Sequence, residues 1–261
     1  MIVDGKAVAN KILDRIRTGL NGRSVCVAAV WAGDNMAIGH FVEMKKKAAE
    51  SVGIDMNIYH LTSEGEVADK LKELAKDESI TGIIIELPLP EGFNRKEILR
   101  LIPQEKDIDV LNGSSLLPPA VGALEILFKK HGIEPAGKTA AVFGQSILIG
   151  RPVSEWLDSK GARVFRIDEN TENTKELCLQ ADIVVSGVGK PNLITGEMVK
   201  DGAVVVDFGF EKLGERISGD VDFGSAAPKA SLITPVPGGM GPIVIAAFLE
   251  NALELYLSSV R

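Results

Sequence analysis

Along the first half of the chain the apolar positions change period repeatedly. Val8, Ile12, Leu13, Ile16 and Leu20 recur at three- and four-residue steps, the spacing of one helical face, and residues 24–30, apolar without a break after Ser24, then read as a buried strand. Residues 37–52 predict a second helix ended by Gly53, and residues 57–61 a second strand. Ser63-Glu64-Gly65-Glu66 predicts the capped start of a third helix, because serine and the glutamate three positions on can each bond the other's backbone N–H. Gly82-Ile83-Ile84-Ile85 reads as a short buried strand, and Pro88 and Pro90 stop it, so Glu86 falls at its carboxyl end. A helix over 94–101 and one opened by Pro118-Pro119 and running to about residue 128 follow.

The second half opens with a strand at 139–143, a glycine-flanked loop, and a helix entered at Arg151-Pro152 and ended by Gly161. Strand patterns return at 163–167, 182–186 and 203–207, and a last helix covers 242 to about 257. Strands alternating with helices predict an α/β fold with parallel sheets. We expect two domains with a junction near 118: an amino-terminal α/β domain over 1–117, on which the apolar carboxyl-terminal helix 242–261 can pack back, and a second α/β domain over 118–241. No apolar run is expected to reach the ~20 residues that span a bilayer, and the first residues lack a signal-peptide pattern.

Composition narrows the partners. Hydrophobic residues make up 45% of the chain and charged residues 25%, as in ordinary globular proteins, and the net charge of −7 argues against a general nucleic-acid binder. Cys26 and Cys178 lie in apolar stretches and read as buried hydrophobes, and no His or Cys cluster suggests a metal. Trp31 and Trp156 read as packing residues. A small-molecule partner and a cytoplasmic location are the expectation.

The loop Gly144-Gln145-Ser146-Ile147-Leu148-Ile149-Gly150 joins a predicted strand to a predicted helix, where backbone N–H groups and the helix's positive end can hold a pyrophosphate. Ser146 stands where the usual fingerprint has its second glycine, and a plain tight turn fits the same residues. Asp168 follows the next strand, near where an acid commonly binds a ribose 2′-hydroxyl and favours NAD; Arg151 and Arg166 are the nearby cations that would suit a 2′-phosphate. An exposed acidic turn fits Asp168 equally. Lys45-Lys46-Lys47, taken alone, is a solvated basic face.

Several motifs in order resemble the bifunctional methylenetetrahydrofolate dehydrogenase/methenyltetrahydrofolate cyclohydrolase (FolD) family over nearly the whole chain. They are Val3-Asp4-Gly5-Lys6, Glu86-Leu87-Pro88-Leu89-Pro90, Lys106-Asp107-Ile108-Asp109, Gly144 to Pro152, Val188-Gly189-Lys190-Pro191, Gly219-Asp220-Val221-Asp222 and Thr234 to Pro242. The resemblance implies that 1–117 completed by 242–261 is the folate-binding catalytic domain and 118–241 a Rossmann-type dinucleotide-binding domain, in a homodimer that oxidises 5,10-methylenetetrahydrofolate with NADP, NAD being the alternative, and then hydrolyses the methenyl product to 10-formyltetrahydrofolate. It implies catalytic roles for Lys45, Glu86 and Asp109, with Asp109 binding the pterin. It places Phe41, Pro237, Gly238 and Gly239 against folate, and Gly144, Gln145, Ser146, Gly150, Arg151, Asp168, Val188 and Gly189 at the dinucleotide.

The chain departs from the family pattern at four places. Phe41 replaces a tyrosine one helical turn before Lys45, Glu86 replaces a glutamine, Val110 a glycine and Val244 a threonine. The first two bear on water activation more than on hydride transfer, which depends chiefly on holding donor carbon and nicotinamide together. Three readings therefore stand: both activities, the dehydrogenase alone or acting on a methanopterin carrier, and a non-catalytic folate or dinucleotide binder.

Overall fold

Ile12, Ile16 and Leu20, at most 3% exposed, form the inner face of α1 (Gly5–Leu20) as the helical period predicts. The structure, a computed structural model, is described for residues 1–213 and 216–259. β1 (Val25–Ala32) follows, then α2 (Met36–Val52), β2 (Ile54–Leu61), α3 (Glu64–Lys76), β3 (Gly82–Ile85) and the short α4 (Arg95–Leu99). The predicted cap of α3 is present: Glu66 N–H donates to Ser63 Oγ at 3.3 Å and Ser63 N–H to Glu66 Oε2 at 3.0 Å. β1 pairs in parallel with β2 on one edge and β3 on the other. The chain crosses from one side of β1 to the other between β2 and β3, and the carboxyl ends at such a crossing form a crevice suited to a ligand.

The second sheet is built from α5 (Pro119–His131), β4 (Thr139–Phe143), α6 (Gly150–Ser159), β5 (Arg163–Ile167), α7 (Thr174–Leu179), β6 (Ile183–Ser186) and β7 (Val204–Asp207). An antiparallel hairpin of β8 (Glu211–Leu213) and β9 (Arg216–Ser218), then α8 (Phe223–Ala226), β10 (Leu232–Ile233) and α9 (Met240–Ser259) complete the chain. The order β10-β7-β6-β4-β5 is parallel throughout. Its inner strands β4, β6 and β7 are buried on both faces and largely apolar, whereas the edge strand β5 exposes Arg163 and Arg166, and the direction of winding reverses between β4 and β6.

The chain divides into two compact units, 10–119 with 245–261 and 1–9 with 120–244. The first nine residues were expected with the other segment. Their backbone explains the difference: Val3 N–H donates to Ile233 O at 2.9 Å, Ile233 N–H to Met1 O at 2.9 Å and Gly5 N–H to Gly238 O at 3.0 Å, which extends the β10 edge.

Contrary to expectation, α9 is long and apolar enough to cross a membrane, with 20 residues and a mean hydropathy of 1.4 over its most apolar window. Of that window 56% is buried inside the protein, where Ala246, Phe248, Leu249 and Ala252 are at most 4% exposed, so the helix serves as a core element and is apolar on several faces. The tryptophans pack as expected: Trp31 stacks on His60 with centroids 4.0 Å apart, and Trp156 lies 5.9 Å from Phe128.

Candidate functional site

In the unit formed by 10–119 and 245–261, Ile38, Val42, Ala49 and Val52 form the buried stripe of α2, and Lys45 sits in phase with them. The solvated-face reading therefore fails for Lys45 and holds for exposed Lys47. Lys45 Nζ donates to Glu86 Oε1 at 2.7 Å, both side chains being 7% exposed, and lies 5.2 Å from the ring centroids of both Phe41 and Phe248. Burial pulls the ammonium pKa down, but the charges of Glu86 and Asp109 and the hydrogen bond to Glu86 outweigh it, so the net shift is upward. Glu86 is fixed where β3 ends, its N–H donating to Val30 O at 2.9 Å.

Asp109 arrives from a loop anchored beside β3, with Asp107 bridging to Ile83 and Ile108 packed where a side chain on Gly82 would otherwise stand. Burial pushes Asp109 up to about 6; Lys45 opposes the rise, while Glu86 and Asp107 add to it. Asn112 N–H donates to Asp107 Oδ2 at 2.6 Å, and Val110 takes φ +59°. A β-branched residue in that left-handed region carries strain of roughly 1–2 kcal/mol that the family's glycine avoids.

Asn251 on α9 donates its side-chain N–H groups to Ile108 O and Leu117 O, each at 2.9 Å, and so holds both ends of the Asp109 loop. Sequence reasoning missed it. A polar residue inside an otherwise apolar helix was the available signal.

In the other unit, the Gly144–Gly150 loop leaves β4 at the reversal of winding. Gly144 has φ +83°, and a Cβ on Gly150 would run into the Gly144 carbonyl, so the first helical residue can approach the loop only as glycine. α6 opens without a side-chain cap, which leaves its positive end toward the loop. Gln145 Nε2 donates back to Gly144 O at 2.8 Å, and Ile149 N–H donates to Ser146 Oγ at 3.3 Å, so both side chains brace the turn. Arg151 N–H is taken by Ser146 O at 3.0 Å, and it is the order strand, glycine turn, helix N-terminus at the reversal of winding that fits a dinucleotide pyrophosphate.

Asp168 is exposed, and its Oδ1 accepts from Asn170 N–H at 3.0 Å and Thr171 Oγ1 at 2.9 Å, the bonding of an acidic turn. Arg166 is paired with Asp158 on α6, whereas Arg151 is exposed in the helix's first turn. Val188 and Gly189 follow β6, next to the phosphate loop. Pro237, Gly238 and Gly239 precede α9, with Gly238 at φ +97° and the carbonyls of Gly238 and Gly239 pressed against Gly5. That contact accounts for the glycine in Val3-Asp4-Gly5-Lys6.

Buried acids knit the loops around β6 and β7. Asp207 accepts from Gly209 N–H at 2.7 Å and Val221 N–H at 2.9 Å, and Asp220 accepts from Ser186 and from the loop that follows it. Burial pushes Asp207 up to about 6 against its hydrogen bonds, and the neighbouring Asp220 adds to the rise. Sequence reasoning assigned neither acid a role.

Comparison with known proteins matches both units. Residues 3–109 match the family model of the tetrahydrofolate dehydrogenase/cyclohydrolase catalytic domain, and residues 118–260 that of the NAD(P)-binding domain. The chain belongs to the tetrahydrofolate dehydrogenase/cyclohydrolase family. The bifunctional protein FolD of Moorella thermoacetica is 38% identical over 97% of each chain. The crystal structure of the bifunctional FolD enzyme from Campylobacter jejuni superimposes with a TM-score of 0.93, at 35% identity and 99% coverage of both chains. The Trypanosoma brucei methylenetetrahydrofolate dehydrogenase-cyclohydrolase, described in complex with NADP and an inhibitor, gives a TM-score of 0.95 at 29% identity, covering 100% of this chain and 98% of that one.

As a member of this family the chain is an enzyme with a catalytic and an NAD(P)-binding domain. The departures at Phe41 and Glu86 are specific to its lysine cluster. The hydroxyl that tyrosine would carry is absent, and a carboxylate holds the lysine.

Proposed function

We infer that this family member oxidises 5,10-methylenetetrahydrofolate to the methenyl form with NADP and hydrolyses that product to 10-formyltetrahydrofolate. The observation that carries the reading is the buried Lys45–Glu86 pair with Asp109 within electrostatic reach. A nicotinamide dinucleotide supplies the hydride acceptor. With Asp109 ionised, one ammonium and two carboxylates give the cluster a net charge of −1, which favours the cationic methenyl carbon left when hydride departs. Asp109 can accept the N–H donors of the pterin's aminopyrimidine edge, and Phe41 offers an apolar wall.

For the hydrolytic step the lysine is a poor base, since its pKa is raised and it stays an ammonium. The Glu86 carboxylate is the acceptor for the proton released as water attacks the methenyl carbon, while Lys45 hydrogen-bonds the oxygen; the adduct then collapses to the formyl group as the C–N5 bond breaks, Glu86 returning its proton to N5 and the hydroxyl proton leaving to solvent. NADP is preferred to NAD because Asp168 is engaged in its own turn and Arg151 is open to a 2′-phosphate. A cytoplasmic homodimer without nucleic-acid partners completes the reading. The family resemblance supports the dimer, and the −7 charge and two free cysteines fit the rest, Cys178 being held inert by burial that pushes its thiol up to about 12.

A time course with 5,10-methylenetetrahydrofolate, run in parallel with NADP and NAD, tests this by following reduced dinucleotide and methenyl absorbance separately. The expected result is NADPH formation without lasting methenyl, faster than the uncatalysed hydrolysis control. Methenyl decaying at the control rate would leave a dehydrogenase alone, and no reduction with either dinucleotide would reject the reading for this carrier.

The acid side of the pH profile gives a second check. A proton on Asp109 removes an acceptor for the pterin, so kcat/KM for the folate should fall as pH drops through about 6. A profile flat from pH 5 to 8 would count against Asp109 as the pterin ligand.

A further inference from the structure

The loop after β6 turns its three amide donors inward. Val188, Gly189 and Lys190 donate N–H to a single carboxylate, that of Asp220, at 2.8, 2.9 and 2.7 Å, and Ser186 Oγ donates to it at 2.6 Å. Successive N–H groups converging in this way, with Gly189 at φ +82°, make a nest of the sort that can hold a phosphate. Here the anion in the nest is the protein's own, on a residue with 0% exposure. The loop therefore cannot offer these N–H groups to a dinucleotide.

Its opposite side meets the phosphate loop instead. A Cβ on Gly144 would lie 2.9 Å from Gly187 O and 3.1 Å from Val188 Cγ2, and a Cβ on Gly187 would lie 2.6 Å from Ile149 Cγ2. Both ends of the phosphate loop thus rest on the segment that Asp220 grips. Asp220 is itself held: its carbonyl accepts from Ile194 N–H at 3.0 Å, and the next residue, Val221, is bonded to Asp207.

We propose that Asp220 is a positioning residue for dinucleotide binding, fixing the 187–190 loop and through it the Gly144–Gly150 phosphate loop without touching the dinucleotide. The proposal rests on the reading that this edge binds NADP. It assigns the Gly219-Asp220-Val221-Asp222 motif a task at a distance, with the Gly187 carbonyl against Gly144 and the Val188 side chain exposed beside the phosphate loop.

NADPH titration of the full chain by protein fluorescence tests both layers separately. If the wild-type protein fails to bind, the function reading fails, whatever Asp220 does. Asp220→Asn keeps the size but turns an amide N–H toward N–H donors. It should raise the NADPH Kd about tenfold or more, leave the folate KM within about twofold, and speed hydrogen exchange at 188–190 while β4 amides stay protected. Ser186→Ala removes one of the four bonds and should raise Kd about threefold, which carries the test if Asp220→Asn does not fold. An unchanged Kd in a folded Asp220→Asn overturns the proposal, as does an unchanged Kd in Ser186→Ala where that is the variant that folds. Equal rises in both KM values, or lost protection across β4, would also overturn it by making Asp220 a general structural residue.

Discussion

Lys45→Met is expected to slow methenyl hydrolysis by about 10²–10³-fold, the range for losing a positioned hydrogen-bond donor to the reacting oxygen. NADPH affinity should stay within about twofold, because the phosphate loop belongs to the other unit. The same substitution leaves the Glu86 carboxylate buried, at 6% exposure, without its counter-ion, and removing one partner of a buried pair costs about 3–5 kcal/mol. Adding Glu86→Gln removes the stranded charge, so the double variant should regain most of that stability without regaining hydrolysis. Urea unfolding and the methenyl decay assay read the two effects separately. If the double variant hydrolysed methenyl at the wild-type rate, neither side chain would have a part in the step.

Gly150→Ala should be nearly as damaging, by a different route. The added methyl would occupy the position of the Gly144 carbonyl, and Gly144 cannot retreat: its N–H is bonded to Ile167 O at 2.8 Å and its other side is against Gly187. Relief requires moving α6 away from β4, at an expected cost of about 3 kcal/mol. A displacement of that kind in a positioning element can cost about 10²-fold, which here should be read in the NADP KM, with the folate KM little changed. Wild-type NADP kinetics in Gly150→Ala would show that the close approach of helix and loop is not what holds the pyrophosphate.

Much of the scaffold is legible in the sequence because local period and punctuation dictate it. β3 and β4 run from Gly82 and Thr139 as the apolar runs predict, and the Ser63–Glu66 cap is a purely local device. α7 and the β8–β9 hairpin escape notice for the same reason. The first has only six residues, and the second has strands of only three residues each in a charged stretch, too short for an alternating period to show.

The candidate site divides in a similar way. Lys45 was hidden in a run of three lysines, although its phase with Val42 and Ala49 marks it as buried. Asn251 shows only as a polar residue in an apolar helix and Asp220 only as part of a motif, and neither pattern names a partner, since the partners of Asp220 on the loop lie up to 32 positions away and one of Asn251's lies 143 away. Buried polar bonds at such separation exist only once the chain has folded.

The extension of the β10 edge by the first residues also bears on how the chain is made. Both units are discontinuous and interleaved: one needs residues 1–9 and 120–244, the other 10–119 and 245–261. A nascent chain emerging from the ribosome can therefore finish neither before residues 233–251 have been released. Met1 and Val3 wait for Ile233, and the Asp109 loop waits for Asn251. The late pairing of distant segments leaves the early sheet edges exposed during synthesis, and it makes the last helix the closing piece of the architecture.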